Sequence, residues 1–295
     1  MEIIGDVTFA ALSRKNGASS KKLASTLLYK FFDERKCCKR WVITRAPSQR
    51  QREDMVLLAH IREHFDHSLR SYGRPRMVEE LREQGFCVGH HRVGRLMKEN
   101  GLQAIRTRKA RRFGAVSNIL GFAPNLLDQD FSVEGPNRKW SADISYIPTG
   151  EGWLYLAVVI DLYSRRVIGW AVSDRMKKDL ALRALQMALT LRQPKPGLIH
   201  HSDRGAQYRS TDYQMLLKRY QAHISMSGKG NCYDNAPVES FFKSLKAEVV
   251  WRSRFETRDQ AERTIAKYIS AFYNAKRRHS ALGNISPMQY EKLAA

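Results

Sequence analysis

Three extended runs between residues 140 and 172 constrain the fold of this 295-residue chain more than any other feature. Trp140–Ile147 alternates apolar and polar residues, Trp153–Ile160 is mostly apolar, and Arg166–Val172 is a third run. A period of two lays one side of a strand on a core. The connections, including the turn around Leu162–Arg165, are too short for a crossover, so the runs must pair as an antiparallel meander. Beyond them the pattern alternates. Lys177–Leu191 has helical apolar spacing and ends before Pro194 and Pro196, and Gly197–His200 is a buried-strand candidate. Thr211–Tyr220 predicts a helix, His223–Met226 a short strand, and about Val238–Trp251 and Thr257–Asn274 two long helices.

Three hairpin strands followed by αβαβα is the order of an α/β fold of the RNase H-like type. Upstream, Met55, Leu58, Ile61 and Phe65 recur at helical spacing, and Ser71–Arg76 reads as a turn because Gly73 and Pro75 break helix. Two short helices follow. One, about Met77–Gln84, buries Val78 and Leu81; the other, about His90–Asn100, buries Val93, Leu96 and Met97 and stops at Gly101. With Arg92, Arg95 and Lys98 on the outer face of the second, the pair fits a helix-turn-helix, or an ordinary hairpin with a solvated basic face. The basic run carrying Arg106, Arg108, Lys109, Arg111 and Arg112 follows at once and reads as an extended stretch lying on phosphates. The expected organisation is a basic segment over 1–48, the helix-turn-helix-like domain with its basic run over 49–112, a linker over 113–132, the α/β core over 133–275 and a basic tail over 276–295.

Charge narrows the partner. The chain has 51 Lys and Arg against 29 Asp and Glu, a net of +22, while 43% hydrophobic residues suffice for a packed core and exclude a disordered basic tail. The excess is +13 over residues 1–112, +3 over 113–240 and +6 over 241–295. Basic flanks around a near-neutral centre suit an enzyme that grips a polyanion, although charge alone fits a ribosomal or chromatin binder equally well. No run of about 18 apolar residues predicts a membrane helix, and the start lacks the features of a signal peptide. Cys37, Cys38, Cys87 and Cys232 form no CxxC pair or zinc spacing, so the cytosol is the expected location.

Three carboxylates fall where that layout would gather them. Asp143 lies within the first strand, Asp203 just after the fourth in His201-Ser-Asp-Arg-Gly, and Glu239 opens the helix after the fifth. Hard oxygen donors gathered there suit Mg²⁺, with two ions able to serve an in-line displacement without any Ser or Cys nucleophile. At about 100° per residue, Glu239, Lys243 and Lys246 share one ridge of that helix, beside the apolar stripe Val238, Phe242, Leu245 and Val249. The carboxylate would face metal and the two ammonium groups a phosphate backbone. Taken alone, the ridge is also an ordinary surface Glu–Lys pair.

Trp140-Ser-Ala-Asp143, Ile160-Asp-Leu-Tyr-Ser-Arg-Arg, His201-Ser-Asp203-Arg-Gly and Asn231-Cys-Tyr-Asp-Asn-Ala-Pro-Val-Glu239 resemble the DDE transposases of insertion sequences, and more narrowly the OrfB transposases of the IS-three group. Thirty-five residues separate Asp203 from Glu239, and Tyr273-Asn-Ala-Lys-Arg-Arg-His279 with Ser286-Pro-Met-Gln-Tyr290 is similar to the family's C-terminal signature. The resemblance covers about residues 41–295. It implies an integrase catalytic core preceded by a small helix-turn-helix domain, with Asp143, Asp203 and Glu239 as a catalytic triad holding Mg²⁺ (Mn²⁺ substituting), and Lys246 touching DNA near the element's end. The implied chemistry is nicking at that end, then attack of the freed 3′-hydroxyl on another phosphodiester, with no covalent protein–DNA intermediate. Implied partners are double-stranded DNA (terminal inverted repeats and target), further copies of the chain on paired ends, and an upstream OrfA product, in a prokaryotic, nucleoid-associated setting. A DNA-binding regulator of transposition without catalysis is the alternative.

Overall fold

The computed structural model describes residues 46–105, 122–228 and 232–294. Most of the segment 1–48, and Arg106, Arg108, Lys109, Arg111 and Arg112, lie outside the described residues. Helix α1 (Gln49–His67) presents Leu57, Ile61 and Phe65 to a core shared with α2 (Arg74–Glu83) and α3 (His90–Glu99). The seam is therefore a strict i+4 row, and Met55, expected within it, is exposed. Helix α2 also begins three residues earlier than expected. Pro75 sits in its first turn, where the missing N–H costs nothing, rather than in a preceding loop. Helix α2 buries Met77, Val78 and Leu81, and α3 buries Val93, Leu96 and Met97, as their spacing predicts. Gly101, just beyond α3, has a φ of +67°.

The second half holds the predicted meander, β1 (Lys139–Thr149), β2 (Gly152–Asp161) and β3 (Val167–Ser173), all antiparallel. After α4 (Lys178–Arg192), strand β4 (Ile199–Ser202) pairs parallel with β1. A short helix α5 (Ala206–Arg209) and α6 (Thr211–Arg219) lead to β5 (His223–Met226), parallel to β4. The sheet order is β3-β2-β1-β4-β5. Parallel neighbours joined through helices are what an α/β crossover demands. One face packs on α4 and α6. The other packs on α7 (Ala236–Glu248) and α8 (Arg258–Lys267), so the sheet is covered on both sides.

Helix α4 lies directly against Gly169 of β3. A Cβ there would lie 2.2 Å from the Ala184 carbonyl oxygen and 2.8 Å from the Ala188 nitrogen, atoms that cannot yield without shifting α4. Gly169→Ala is expected to destabilise the chain by about 1–3 kcal/mol in urea unfolding, with an unchanged m-value.

Three expectations change. The helix predicted over Thr257–Asn274 is α-helical only to Lys267, beginning after a Thr257 cap whose hydroxyl accepts from Gln260 N at 3.1 Å. Tyr268–Asn274 continues as wider π-helical turns, placing the Asn274 amide against β3, where it accepts from Val167 N at 3.0 Å and donates to Val167 O at 2.9 Å. The stretch expected as a linker packs against β5 in its described part, with Met226 N donating to Pro124 O at 3.2 Å and Leu126 N to Ser225 Oγ at 2.9 Å. The stretch expected as a basic tail is folded, ending in α9 (Pro287–Leu293) behind a Ser286–Gln289 capping box. Glu291 of α9 accepts from Ser164 Oγ at 2.7 Å, from Arg166 at 2.6 Å, and from Arg192. No described helix is long and apolar enough to cross a membrane.

Candidate active site

Strand alternation puts Asp143 on the face of β1 that looks toward α7, since its β2 partner Val158 belongs to the core on that side. The parallel register pairs Ala142 with Ser202, so Asp143 and Asp203 follow at neighbouring positions where β4 ends. Asp143 is half-buried and accepts from Ile144 N at 2.7 Å. Its carboxyl is pushed up to about 8, first by burial, then by the Asp203 charge against the Ile144 hydrogen bond, then by Glu239, with Lys246 opposing. Asp203 lies at the open rim. Desolvation raises its pKa, and the Gly205 N–H, donating at 2.9 Å, lowers it. A Cβ at Gly205 would come within 2.9 Å of the Asp203 carboxylate, so a larger residue there would push that side chain aside.

Helix α7 carries the third carboxylate and is tied to β1 just upstream of Asp143. Asn235 donates to Ala142 O at 3.2 Å and accepts from the Ser141 hydroxyl. Asp234 accepts from Gly228 N at 2.7 Å and Asn125 Nδ2 at 3.1 Å, which closes the loop into the helix. The tie from Asn235 to β1 has no local signal in the sequence, because its partners lie 93 and 94 residues away. Val238, Phe242, Leu245 and Val249 are buried as predicted. Along the ridge, Glu239 pairs with Lys243 at 3.5 Å, and Lys246 Nζ lies 4.9 Å from the ring centroid of exposed Tyr146. Burial lowers the Lys246 pKa, and the Asp143 charge opposes that shift.

Asp143 and Asp203 are thus brought together, while Glu239 leans to Lys243. Among the described residues no three His, Cys, Asp or Glu side chains already converge as a metal cage. The donor set nevertheless fits a hard divalent ion: carboxylate oxygens only, with the Asp203 and Glu239 charges both opposing ionisation of Asp143. His201 lies nearby but spends both ring nitrogens on Ser225 Oγ at 2.8 Å and Ser227 Oγ at 3.1 Å, and burial pushes it down to about 4. Asp161, at the end of β2, accepts from Asn137 N at 2.8 Å and Tyr163 N at 3.0 Å, a turn-holding part.

The basic face of α3 is less free than its sequence suggests. Arg92 donates to Asp54 at 2.6 Å and Glu53 at 3.2 Å, and Arg95 to Asp54 at 2.5 Å and Glu99 at 2.9 Å. Lys98 stays exposed.

Comparison with known proteins matches these elements in order. An HTH-like domain family matches residues 51–110, one integrase core domain family residues 133–232, and a second residues 239–293. The transposase InsF for insertion sequence IS3A of Escherichia coli (strain K12) is 48% identical over 255 residues, covering 86% of this chain and 87% of its own. The chain belongs to the IS3 transposase family. A 31 kDa protein of insertion element IS600 from Shigella sonnei is 45% identical over 253 residues, covering 84% of this chain and 93% of its own. Among solved structures, the HTLV-2 integrase catalytic core domain in complex with magnesium aligns at 17% identity and a TM-score of 0.41, covering 54% of this chain and 98% of that one. The IS3-family chain is a transposase with an integrase catalytic core behind an HTH-like domain, and it acts in DNA transposition.

Proposed function

We propose that Asp143, Asp203 and Glu239 are the catalytic carboxylates of this transposase, that they hold Mg²⁺ as a pair of ions, with Mn²⁺ able to substitute, and that Lys243 and Lys246 meet the DNA backbone. The observation that carries the reading is the meeting of two carboxylates at the β1 and β4 ends, with the Lys246 ammonium within the field of Asp143. When bound, the metal supplies charge neutralisation at the attacking and leaving oxygens of an in-line displacement. Asp143, once deprotonated, would hold the ion together with Asp203, and Glu239 would join them by giving up its pair with Lys243. Lys243, released, and Lys246 hold phosphate oxygens on either side of the scissile bond. In the first step a water oxygen bonds to phosphorus as the 3′-oxygen leaves and takes a proton. In the second, that 3′-hydroxyl bonds to a target phosphorus and the target's own 3′-oxygen leaves. The bonds exchanged are alike, so no energy source or covalent enzyme intermediate is needed. Terminal inverted repeats and target DNA are the substrates, copies of the chain on paired ends and an upstream OrfA product the protein partners, and the bacterial nucleoid the setting.

The test is incubation of the purified chain with duplexes ending in the element's own inverted repeat. With Mg²⁺ or Mn²⁺, nicked product followed by branched or circular product is expected; without a divalent ion, neither. Nicking alone would make the chain a hydrolytic nuclease. Salt-sensitive DNA binding with no cleavage in either metal would favour a regulator that occupies ends, a reading that draws on the Glu239–Lys243 pair.

A further inference from the structure

One step round α7 from the Glu239 ridge lies a cavity of about 410 Å³, lined by Arg76, Arg165, Ser240, Ser244, Arg277 and His279 among others. Three guanidinium groups converge there from separate elements: Arg76 from α2, Arg165 from the β2–β3 turn, and Arg277 from the segment after the π-helical turns. All three act on His279, whose imidazole is pushed down to about 3, first by burial and then by Arg277, Arg76 and Arg165 in turn. The histidine is therefore neutral at pH 7. Desolvation holds Arg76 and Arg165 below the usual arginine value, and Arg277 adds to the effect on Arg76.

Only one of the three guanidinium groups is neutralised at close range. Arg277 donates to both Glu248 oxygens at 2.8–3.0 Å and to Ser244 Oγ at 3.1 Å. Glu248 also takes the Tyr268 hydroxyl at 2.8 Å, so its oxygens are spent. Among the described residues Arg76 and Arg165 make no ion pair. Asp161 and Glu248 reach them through field alone. The cavity also holds two orphaned polar atoms, Arg165 Nη1 and His279 Nε2, both buried without a hydrogen-bond partner. Gathering cations away from water without a counter-charge is costly, and buried donors are normally satisfied.

We propose that this cavity is a binding site for a single phosphate group, built jointly by the helix-turn-helix-like domain and the catalytic core. Arg76 and Arg165 supply two planar donor forks matched to phosphate oxygens. Ser240 and the first turn of the thirteen-residue helix α7 add a hydroxyl and the positive end of a helix dipole. His279 Nε2 completes the set as a neutral donor in the tautomer that protonates it. The phosphate comes from the DNA backbone flanking the reacting bond or from a free phosphate ion; only the first source rests on the transposase reading. Because Arg76 belongs to one domain and Arg165 to the other, an occupied site also holds the two together.

The test is run in EDTA, so that catalysis plays no part and a failure here leaves the metal-site reading untouched. In the first arm, inorganic phosphate is titrated against chloride at equal ionic strength. It should raise the unfolding midpoint of the natural chain by about 2–4 °C and leave Arg76→Gln and Arg165→Gln unmoved. In the second arm, single methylphosphonates are walked along an element-end duplex. One position should weaken binding of the natural chain about tenfold yet not weaken that of Arg165→Gln further. Both results together assign the backbone as the source; the first alone assigns a free phosphate. Equal stabilisation by chloride, or equal stabilisation of the variants, with no coupled backbone position, overturns the site. Arg165→Gln removes a charge that has no partner, so it should fold at least as well as the parent, and the titration of the natural chain decides in any case.

Discussion

Asp143→Asn is expected to lower both nicking and strand transfer by about a thousandfold or more, measured on element-end duplexes under saturating Mg²⁺. The same substitution should stabilise the metal-free protein at neutral pH. An ordinary aspartate ionises near 3.8, whereas Asp143 keeps its proton to about 8. Between those values the folded chain binds more protons than the unfolded one, so stability falls as pH rises through the window. Asparagine removes that loss. Its unfolding midpoint should exceed the natural chain's by a few degrees above about pH 6 and converge with it below about pH 4. A variant that loses activity while gaining metal-free stability has lost a ligand. One that loses both has lost a strut, and the assignment of Asp143 would fall with it.

Glu248→Gln should produce a large stability loss, about 3–5 kcal/mol by thermal or urea unfolding, or on the order of 10 °C. Glu248 and Arg277 are both buried, their side chains 6% and 8% exposed, and they share a carboxylate–guanidinium bond with Tyr268 and Ser244 at its edges. Losing one partner strands a charge where water cannot reach it. Replacing both by methionine should recover most of the loss, because the cost lies in the uncompensated charge and not in the missing bond. Glu239 and Glu248 therefore sit on one helix with opposite fates. The first lies at the solvent edge and is free to change partners. The second is locked.

What could be read in advance follows a physical divide. The meander, the β4 and β5 strands and the buried stripe of α7 were legible because period-two and period-3.6 patterns and short turns are local signals. Asp143, Asp203 and the α7 ridge followed from those elements, since strand ends and the next helix start are placed by topology. The missing parts were nonlocal. Asp54 answers Arg92 and Arg95 from about forty residues upstream, so the basic face of α3 looked freer than it is. Arg277 and Arg278 looked like a solvated tail because Glu248, Glu80 and Glu83, which bury them, lie far away in the chain. The π-helical turns at Tyr268–Asn274 answer to a hydrogen bond with β3 that no helical pattern contains.

Arg278 also bears on how the small helical domain is held. Its guanidinium reaches Glu80 at 2.7 Å, Glu83 at 2.5 Å and Asn284 O at 2.8 Å, and its backbone N–H donates to the Tyr72 hydroxyl at 2.7 Å. Helix α2 is thereby fastened to the far end of the chain by side chains. The spacing between α2 and the end of the chain is then a dimension of the folded protein, like the gap of a caliper.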